Sequence, residues 1–319
     1  MREQPRVRSR ISLSLNPGYD SSMEDLIAYL HGVMLPQVID GLVIGVALAL
    51  VALGLTMIFG LLDVINLAHG ELYMLGGYAT LALIGWGTGY WGALILVPLL
   101  VGLAAGGLQE LGVRPLLPRP DRAFVTLLLT FGVSLMLRDL AQVLWGTETY
   151  AVAAPLSGMV NVAGVYLPLY RAFVFAAGAV AIAVTWWLVY RTRIGAVLRA
   201  TAVDPAMVAS LGIPIRWAYG FTFLYGGALA GLAGVLLSPI YAVFPTMGHD
   251  FLVMAFAVVI VGGMGSIVGA VVAALLLSQV HGLASLWIPP VWAETLVYAV
   301  MLLVLIVRPG GLFTRIGEA

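Results

Sequence analysis

The sequence contains no cysteine and no lysine, and each absence excludes a class of chemistry. Its fifteen basic residues are all arginine. Without lysine there is neither a P-loop, whose lysine binds nucleotide phosphates, nor a Schiff-base enzyme. Without cysteine there is no disulfide, no thiolate metal site and no cysteine nucleophile. The four histidines show no HExxH spacing, which argues against a metalloprotease of that type and leaves no catalytic or metal site to predict.

Charge is scarce as well. Of the 319 residues, 9% are charged and 62% are hydrophobic, and the mean hydropathy is +1.05. A soluble domain carries about 25% charged residues, so this chain has too few polar side chains to cover a water-facing surface. It is predicted to be an integral membrane protein, and its formal net charge of zero gives no indication of nucleic-acid binding.

Long uncharged segments predict the membrane spans. A helix crosses a bilayer with about 20 apolar residues, and only helices or closed barrels satisfy their backbone in lipid. Strand-like alternation is absent, so we expect an all-α, polytopic protein with about eight to ten transmembrane helices. The approximate spans are 38–61, 64–85, 91–111, 123–145, 171–190, 216–238, 250–266, 268–287 and 291–308.

Arginine in short loops predicts the orientation. The segments 110–122 and 191–216 and the C-terminal end are rich in arginine, so all three are expected on the cytoplasmic side. Residues 1–37 are expected to form an N-terminal tail with a short pre-helix, and residues 314–319 a C-terminal tail. The transmembrane body then covers 38–313.

Glycines recur four residues apart within several spans. This spacing allows close backbone approach between membrane helices. The pairs are Gly41 with Gly45, Gly102 with Gly106, Gly227 with Gly231, and Gly265 with Gly269. The run from Gly262 through Gly263 to Gly265 is poor helix material, so it is interpreted either as an unwound segment lining a pathway or as a point of close packing.

Ionisable residues within a span are candidates for function. The start of the second span contains, after Asp63, the residues Asn66, His69, Gly70 and Glu71. A pathway or gating role is one interpretation. In the other, Asp63 and Asn66 cap the helix start while His69 and Glu71 satisfy each other. A proton relay is disfavoured because the other spans supply no chain of carboxylates.

The loop 191–216 contains two short helical patterns separated by Asp204-Pro205. Aspartate is a preferred N-cap and proline is favoured at the first helical position, while Gly212 is a C-terminal stop. Such a helix is too short to be stable alone. It is suited to docking into a groove of another protein.

Four motifs resemble one family, the permeases of high-affinity branched-chain amino-acid ABC importers of the LivH type. The loop is similar to that family's cytoplasmic coupling loop at Gly195, Arg199, Ala200, Asp204, Ala209, Gly212 and Ile213. The other three motifs are Asn66 to Glu71 followed by Tyr73-Met74, Val261 to Ser266 followed by Gly269-Ala270, and Arg308 to Phe313. Together they span roughly residues 38–313 in the family's order.

The resemblance implies a multi-pass subunit of the bacterial inner membrane that is not itself an enzyme. It would pair with a second related permease, dock on two ATP-binding-cassette ATPase subunits and receive substrate from a periplasmic binding protein. ATP and Mg²⁺ would bind to those partner subunits, and no cofactor is expected in this chain. The family's implied substrates are branched-chain amino acids, and urea or short amides are the alternative.

Two further hypotheses remain open at this point. A self-contained channel or secondary transporter would need substrate and ion ligands in mid-membrane, and the spans offer few. An intramembrane enzyme would need convergent His, Asp or Ser side chains on facing helices. Copurification with an ATPase separates the importer from both.

Overall fold

A computed structural model describes residues 30–162 and 164–313. Most of the predicted N-terminal tail, residues 1–29, and the whole predicted C-terminal tail lie outside these ranges. The α-helices are α1 Leu35–Leu62, α2 His69–Gly85, α3 Gly89–Leu108, α4 Arg122–Trp145, α5 Leu169–Arg191, α6 Arg193–Val203, α7 Pro205–Ser210, α8 Ile215–Leu237, α9 Met247–Gly262, α10 Ile267–Ala284 and α11 Pro290–Val307. A two-stranded antiparallel hairpin, β1 Met159–Val162 and β2 Val165–Pro168, precedes α5.

The all-α, polytopic prediction is confirmed. Within the described ranges, seven helices are long and apolar enough to cross a membrane, and α9 is a shorter apolar helix. Helices occupy all nine predicted spans, with α2 as the ninth element at 17 residues. The predicted boundaries need small corrections, and the β1–β2 hairpin was not predicted.

The start of the second span was predicted too early. Asp63 ends α1 with a left-handed backbone (φ 54°), and its N–H bonds to the carbonyl of Phe59. Helix α2 then begins only at His69, and residues 63–66 between the two helices lack regular structure. Apolar composition alone does not reveal this break, because Val64, Ile65 and Leu67 would also suit a helix.

Helix α1 lies at the centre of the protein. In its apolar window, 83% of the residues are buried, compared with 17% in α4 and 11% in α11. It packs against α10, α8, α5 and α9. Side chains on α4 and α11 therefore face outward, as membrane-exposed helices do.

Small residues bring α3 and α8 together, as the glycine spacing predicts. Gly227 packs on Ala105, and a Cβ added to Gly102 would lie 2.7 Å from the carbonyl oxygen of Leu224. Gly231 packs on Val101 in the same way, so the two helices run antiparallel. Close backbone approach of this kind strengthens packing where the hydrophobic effect cannot.

The arginine-rich segments gather at one end of the helices. Arg216, at the start of α8, is bonded to Glu110, just after α3. The backbone N–H of Leu312 bonds to the carbonyl of Val261 near the end of α9, at 2.8 Å. At the other end, Tyr150 and Val243 exchange backbone hydrogen bonds between two loops. The helix directions therefore agree with the predicted placement of the arginine-rich segments on one side.

Candidate functional site

The loop between α5 and α8 folds as two short helices with defined caps. The hydroxyl of Thr192 accepts a hydrogen bond from the N–H of Gly195 at 3.1 Å, which caps α6. The carboxylate of Asp204 accepts from the N–H of Met207 at 2.9 Å, which caps α7 with Pro205 in its first position. Gly212 closes the loop with φ of 78°. The predicted roles of Asp204, Pro205 and Gly212 as helix boundaries are confirmed.

Two residues fasten α6 to the end of α5. Gly195 is buried against the carbonyl oxygens of Leu188 and Val189, where a Cβ would not fit. Arg199 donates to the carbonyl of Val189 and its guanidinium lies 5.6 Å from the centre of the Tyr190 ring. Both residues therefore hold the loop in one orientation relative to the membrane helix.

The outer side of the loop is apolar and exposed. Val203, Met207 and Leu211 are 74%, 62% and 69% exposed. Ala200 and Ala209 are also exposed, and Ile213 is half-buried. A short apolar surface at the arginine-rich end of a membrane protein is a feature of protein docking.

A cavity of about 80 Å³ lies between part of α6 and the membrane helices. Leu198 and Arg199 line it from α6, and Gly60 lines it from α1. Gly265, in the turn after α9, completes another wall. The structure thus brings the predicted coupling residue Arg199 together with one of the predicted pathway glycines.

The turn between α9 and α10 is a point of very close packing. A Cβ on Gly262 would lie 2.5 Å from the backbone of Gly269, and one on Gly311 would lie 2.6 Å from Gly263. Gly263 and Gly265 have positive φ of 98° and 84°, so helix α9 ends at Gly262 and not at 266 as predicted. The close-packing interpretation is confirmed, while a role in the pathway stays a prediction.

Asn66, His69 and Glu71 are all buried. The ring Nε2 of His69 lies 3.1 Å from the carbonyl oxygen of Val51 on α1. Glu71 accepts a hydrogen bond from the hydroxyl of Ser134 on α4 at 3.1 Å. Gly70 packs on Gly248 at the start of α9. The motif therefore joins α1, α4 and α9, which are distant in sequence.

The local pairings expected for this motif are wrong in two respects. Asp63 is the C-cap of α1 instead of capping α2, and the residue before α2 is Ala68. His69 and Glu71 bond to α1 and α4 and not to each other. Asn66 does act locally, since its Oδ1 accepts from the N–H of Ala68 at 3.1 Å.

The sequence interpretation missed the contribution of α4. Thr130 accepts a hydrogen bond from the N–H of Leu67 and bonds to the carbonyl of Ile65, both at 3.2 Å, which fixes the segment before α2. Thr126, Thr130 and Ser134 are buried and stand four residues apart on one helical face. That spacing of hydroxyls in an apolar helix was the available signal.

Arg138, the next residue in this series, lies 3.7 Å from the carboxylate of its neighbour Asp139. Asp139 is mostly exposed, with 68% of its side-chain surface accessible.

Comparisons with known proteins match the chain to transport permeases. The family model described as the branched-chain amino acid transport system / permease component matches residues 37–305. The chain is 28% identical to the high-affinity branched-chain amino acid transport system permease protein LivH of Escherichia coli, over 88% of this chain and 96% of LivH. It is 29% identical to BraD of Pseudomonas aeruginosa with the same coverage, and 24% identical to the ribose import permease protein RbsC of Haemophilus influenzae over 84% of this chain and 83% of RbsC. None of the solved structures matches the chain.

Proposed function

The chain belongs to the family of branched-chain amino acid transport permease components, and we propose that it carries branched-chain amino acids across the membrane as one subunit of an ABC importer. It is a multi-pass protein of the inner membrane. The observation that carries the proposal is the loop 191–216, in which a fixed, capped pair of helices presents exposed apolar residues at the arginine-rich end. Such a surface suits a partner that moves the membrane helices.

The chain supplies the channel and its partners supply the energy. Two ATPase subunits bind ATP and Mg²⁺, since a chain without lysine contains no P-loop of its own. A second related permease completes the passage. A periplasmic binding protein delivers the substrate to this passage.

Coupling runs through the loop. Met207 and Leu211 contact the ATPase together with Ala200, Ala209 and Ile213. Gly195 and Arg199 transmit its movement to α5, because they bind the loop to the last carbonyls of that helix. Asp204 and Gly212 keep the short helices intact. Movement of a docked helix as a rigid body is a known way to transmit a conformational change.

The gate lies along α1. The carbonyl of Val51 in this helix contacts Nε2 of His69, and residues nearer the end of the helix line the cavity beside Arg199. A shift of the coupling loop therefore reaches the buried group of Asn66, His69, Gly70 and Glu71 through one helix. The end of α1 contacts the tight turn after α9, which contains Gly262, Gly263 and Gly265.

Branched-chain amino acids are the favoured substrates because the named relatives with the highest identities transport them. The membrane helices of this chain are nearly uncharged, which suits solutes with apolar side chains. Urea and short amides are not favoured, since neither occurs in the names of these relatives.

The test is uptake of radiolabelled leucine, isoleucine, valine and urea by cells with and without this chain. Loss of the three amino-acid uptakes with unchanged urea uptake supports the proposal. Loss of urea uptake alone contradicts the assignment of branched-chain amino acids as the substrates. Uptake by vesicles that contain only the purified chain contradicts the importer mechanism, because no ATPase would then be needed.

A further inference from the structure

A second cavity, of about 230 Å³, lies at the end of the protein opposite to the coupling loop. The start of α1, the start of α5, the end of α10 and the segment after α8 form its walls. Pockets for drug-sized ligands measure roughly 300–1,000 Å³. This cavity is therefore of a size for a smaller solute, and it faces the side from which an importer receives substrate.

Opposite charges meet inside this cavity. The carboxylate of Asp40 on α1 forms an ion pair with the guanidinium of Arg171 on α5, and the two side chains are 27% and 33% exposed. Oδ1 of Asp40 is the atom that contacts Nη1 of Arg171, so this oxygen is already paired with the guanidinium. A carboxylate has about four lone-pair sites, so Asp40 can still accept a hydrogen bond from a third group.

Further polar groups line the same space. His281 on α10 contributes a buried Nε2 that has no hydrogen-bond partner among the described residues. The amide of Gln37 donates to the hydroxyl of Ser285 at 3.3 Å, so these two side chains are already paired. The remaining wall includes the apolar side chains of Val43 and Ile44.

We propose that this cavity binds the backbone of a free α-amino acid on its way into the passage. Arg171 binds the α-carboxylate and Asp40 binds the α-ammonium group, while the apolar wall accepts the side chain. His281 offers one further hydrogen bond to the carboxylate. This proposal rests on the proposed function and specifies which part of the substrate the chain recognises.

The pairing of charges distinguishes a zwitterion from other solutes. A cavity with arginine alone would accept any carboxylate, and one with aspartate alone would accept any amine. Adjacent opposite charges match the two charged groups of an α-amino acid, which are joined through one carbon. A partly exposed ion pair contributes little to stability. A purely structural role therefore explains poorly why this pair lines a cavity together with Nε2 of His281, which has no hydrogen-bond partner among the described residues.

The direct test is equilibrium binding of radiolabelled L-leucine to the full-length chain, purified with its partner subunits in lipid nanodiscs and without the binding protein. The competitors are unlabelled L-leucine, 4-methylpentanoate, which lacks the amine, and 3-methylbutylamine, which lacks the carboxylate. We expect competition by leucine and at most weak competition by the two analogues. Absence of leucine binding, or equal competition by 4-methylpentanoate, overturns the proposal.

Variants localise the binding to this cavity. Asp40→Asn and Arg171→Met each remove one charge, and each should weaken leucine binding by about tenfold or more, because a hydrogen bond to a charged group is lost. The double variant Asp40→Asn with Arg171→Gln retains a polar contact between α1 and α5 but no charge, so it should fold normally and still fail to bind leucine. Glu294→Gln removes an exposed carboxylate at the start of α11 and is the matched control, with unchanged binding expected. Wild-type binding by the folded double variant overturns the proposal.

Uptake assays separate this proposal from the proposed function. If cells import leucine through the wild-type chain and also through both single variants at the same rate, the cavity is not a recognition site while the importer function stands. If the wild-type chain imports no branched-chain amino acid but the cavity binds leucine as described, the transport assignment fails and the binding site remains.

Discussion

Gly60, near the end of α1, lies directly against Gly265 in the turn between α9 and α10. A Cβ added to Gly60 would be 2.8 Å from the Cα of Gly265. Both glycines line the cavity that contains Arg199. The last turns of the central helix, the glycine turn and the coupling loop therefore meet at one place, and a change at this contact tests whether their fit matters.

Gly60→Val should lower the stability of the protein. The added side chain meets backbone and not a flexible side chain, so α1 and the turn must separate, and overpacking of this kind costs about 1–3 kcal/mol. The apparent midpoint of thermal unfolding, followed by tryptophan fluorescence in nanodiscs, should fall.

Gly132→Ala is the matched control for this substitution. Gly132 lies on the exposed surface of α4, with no atom within 4 Å of its built Cβ. Alanine has the higher helix propensity, so the midpoint should stay the same or rise slightly. Equal midpoints for Gly60→Val and wild type would show that the contact is looser than described.

The exposed apolar surface of the coupling loop should be required for ATPase docking. Met207→Asp combined with Leu211→Asp places two charges where an apolar contact is proposed, and desolvating an unpaired charge is costly. The ATPase should no longer copurify with the chain, while the amount of the chain in the membrane stays the same. Met207→Leu with Leu211→Met preserves apolar volume and should retain the ATPase. Retention of the ATPase by the aspartate variant would refute docking at this surface.

Glu71 should act through hydrogen bonding and not through proton transfer. Glu71→Gln keeps an oxygen that accepts from Ser134, so leucine uptake should stay within a few-fold of wild type. Glu71→Leu leaves the Ser134 hydroxyl without this partner in a buried position, which costs about 1–3 kcal/mol, so the thermal midpoint should fall. Abolished uptake in a stably folded Glu71→Gln variant would instead support a proton relay.

The sequence was sufficient to predict the helical architecture because membrane helices are encoded by local composition. An uncharged segment of about 20 residues predicts the helix that it forms, and the glycine spacing predicts which face of that helix packs closely. The caps of α7 were also predictable, since Asp204 and Gly212 act within a few residues of themselves.

Contacts between distant segments were not predictable. Asp40, Arg171 and His281 are separated by more than 100 residues at each step, and only the packing of α1, α5 and α10 brings them to one cavity. The partner of Glu71 was missed for the same reason, because Ser134 lies 63 residues away in the sequence, on α4. In each case the contact forms only when helices that are distant in sequence pack together.

The N-cap of α7 offers a test of whether the coupling loop must be folded before it docks. Helix α7 has six residues, which is too short for stability without its caps. Asp204→Ala removes the acceptor for the N–H of Met207, and loss of such a cap costs about 1 kcal/mol. Amide hydrogen exchange in 205–211 should then accelerate by about fivefold, since 1 kcal/mol corresponds to roughly that factor. Asp204→Asn retains the cap and should exchange at the wild-type rate.

If preorganisation of the loop matters, Asp204→Ala should also reduce leucine uptake, whereas Asp204→Asn should not. Equal uptake by the two variants, despite the difference in exchange, would mean that the ATPase folds α7 as it binds.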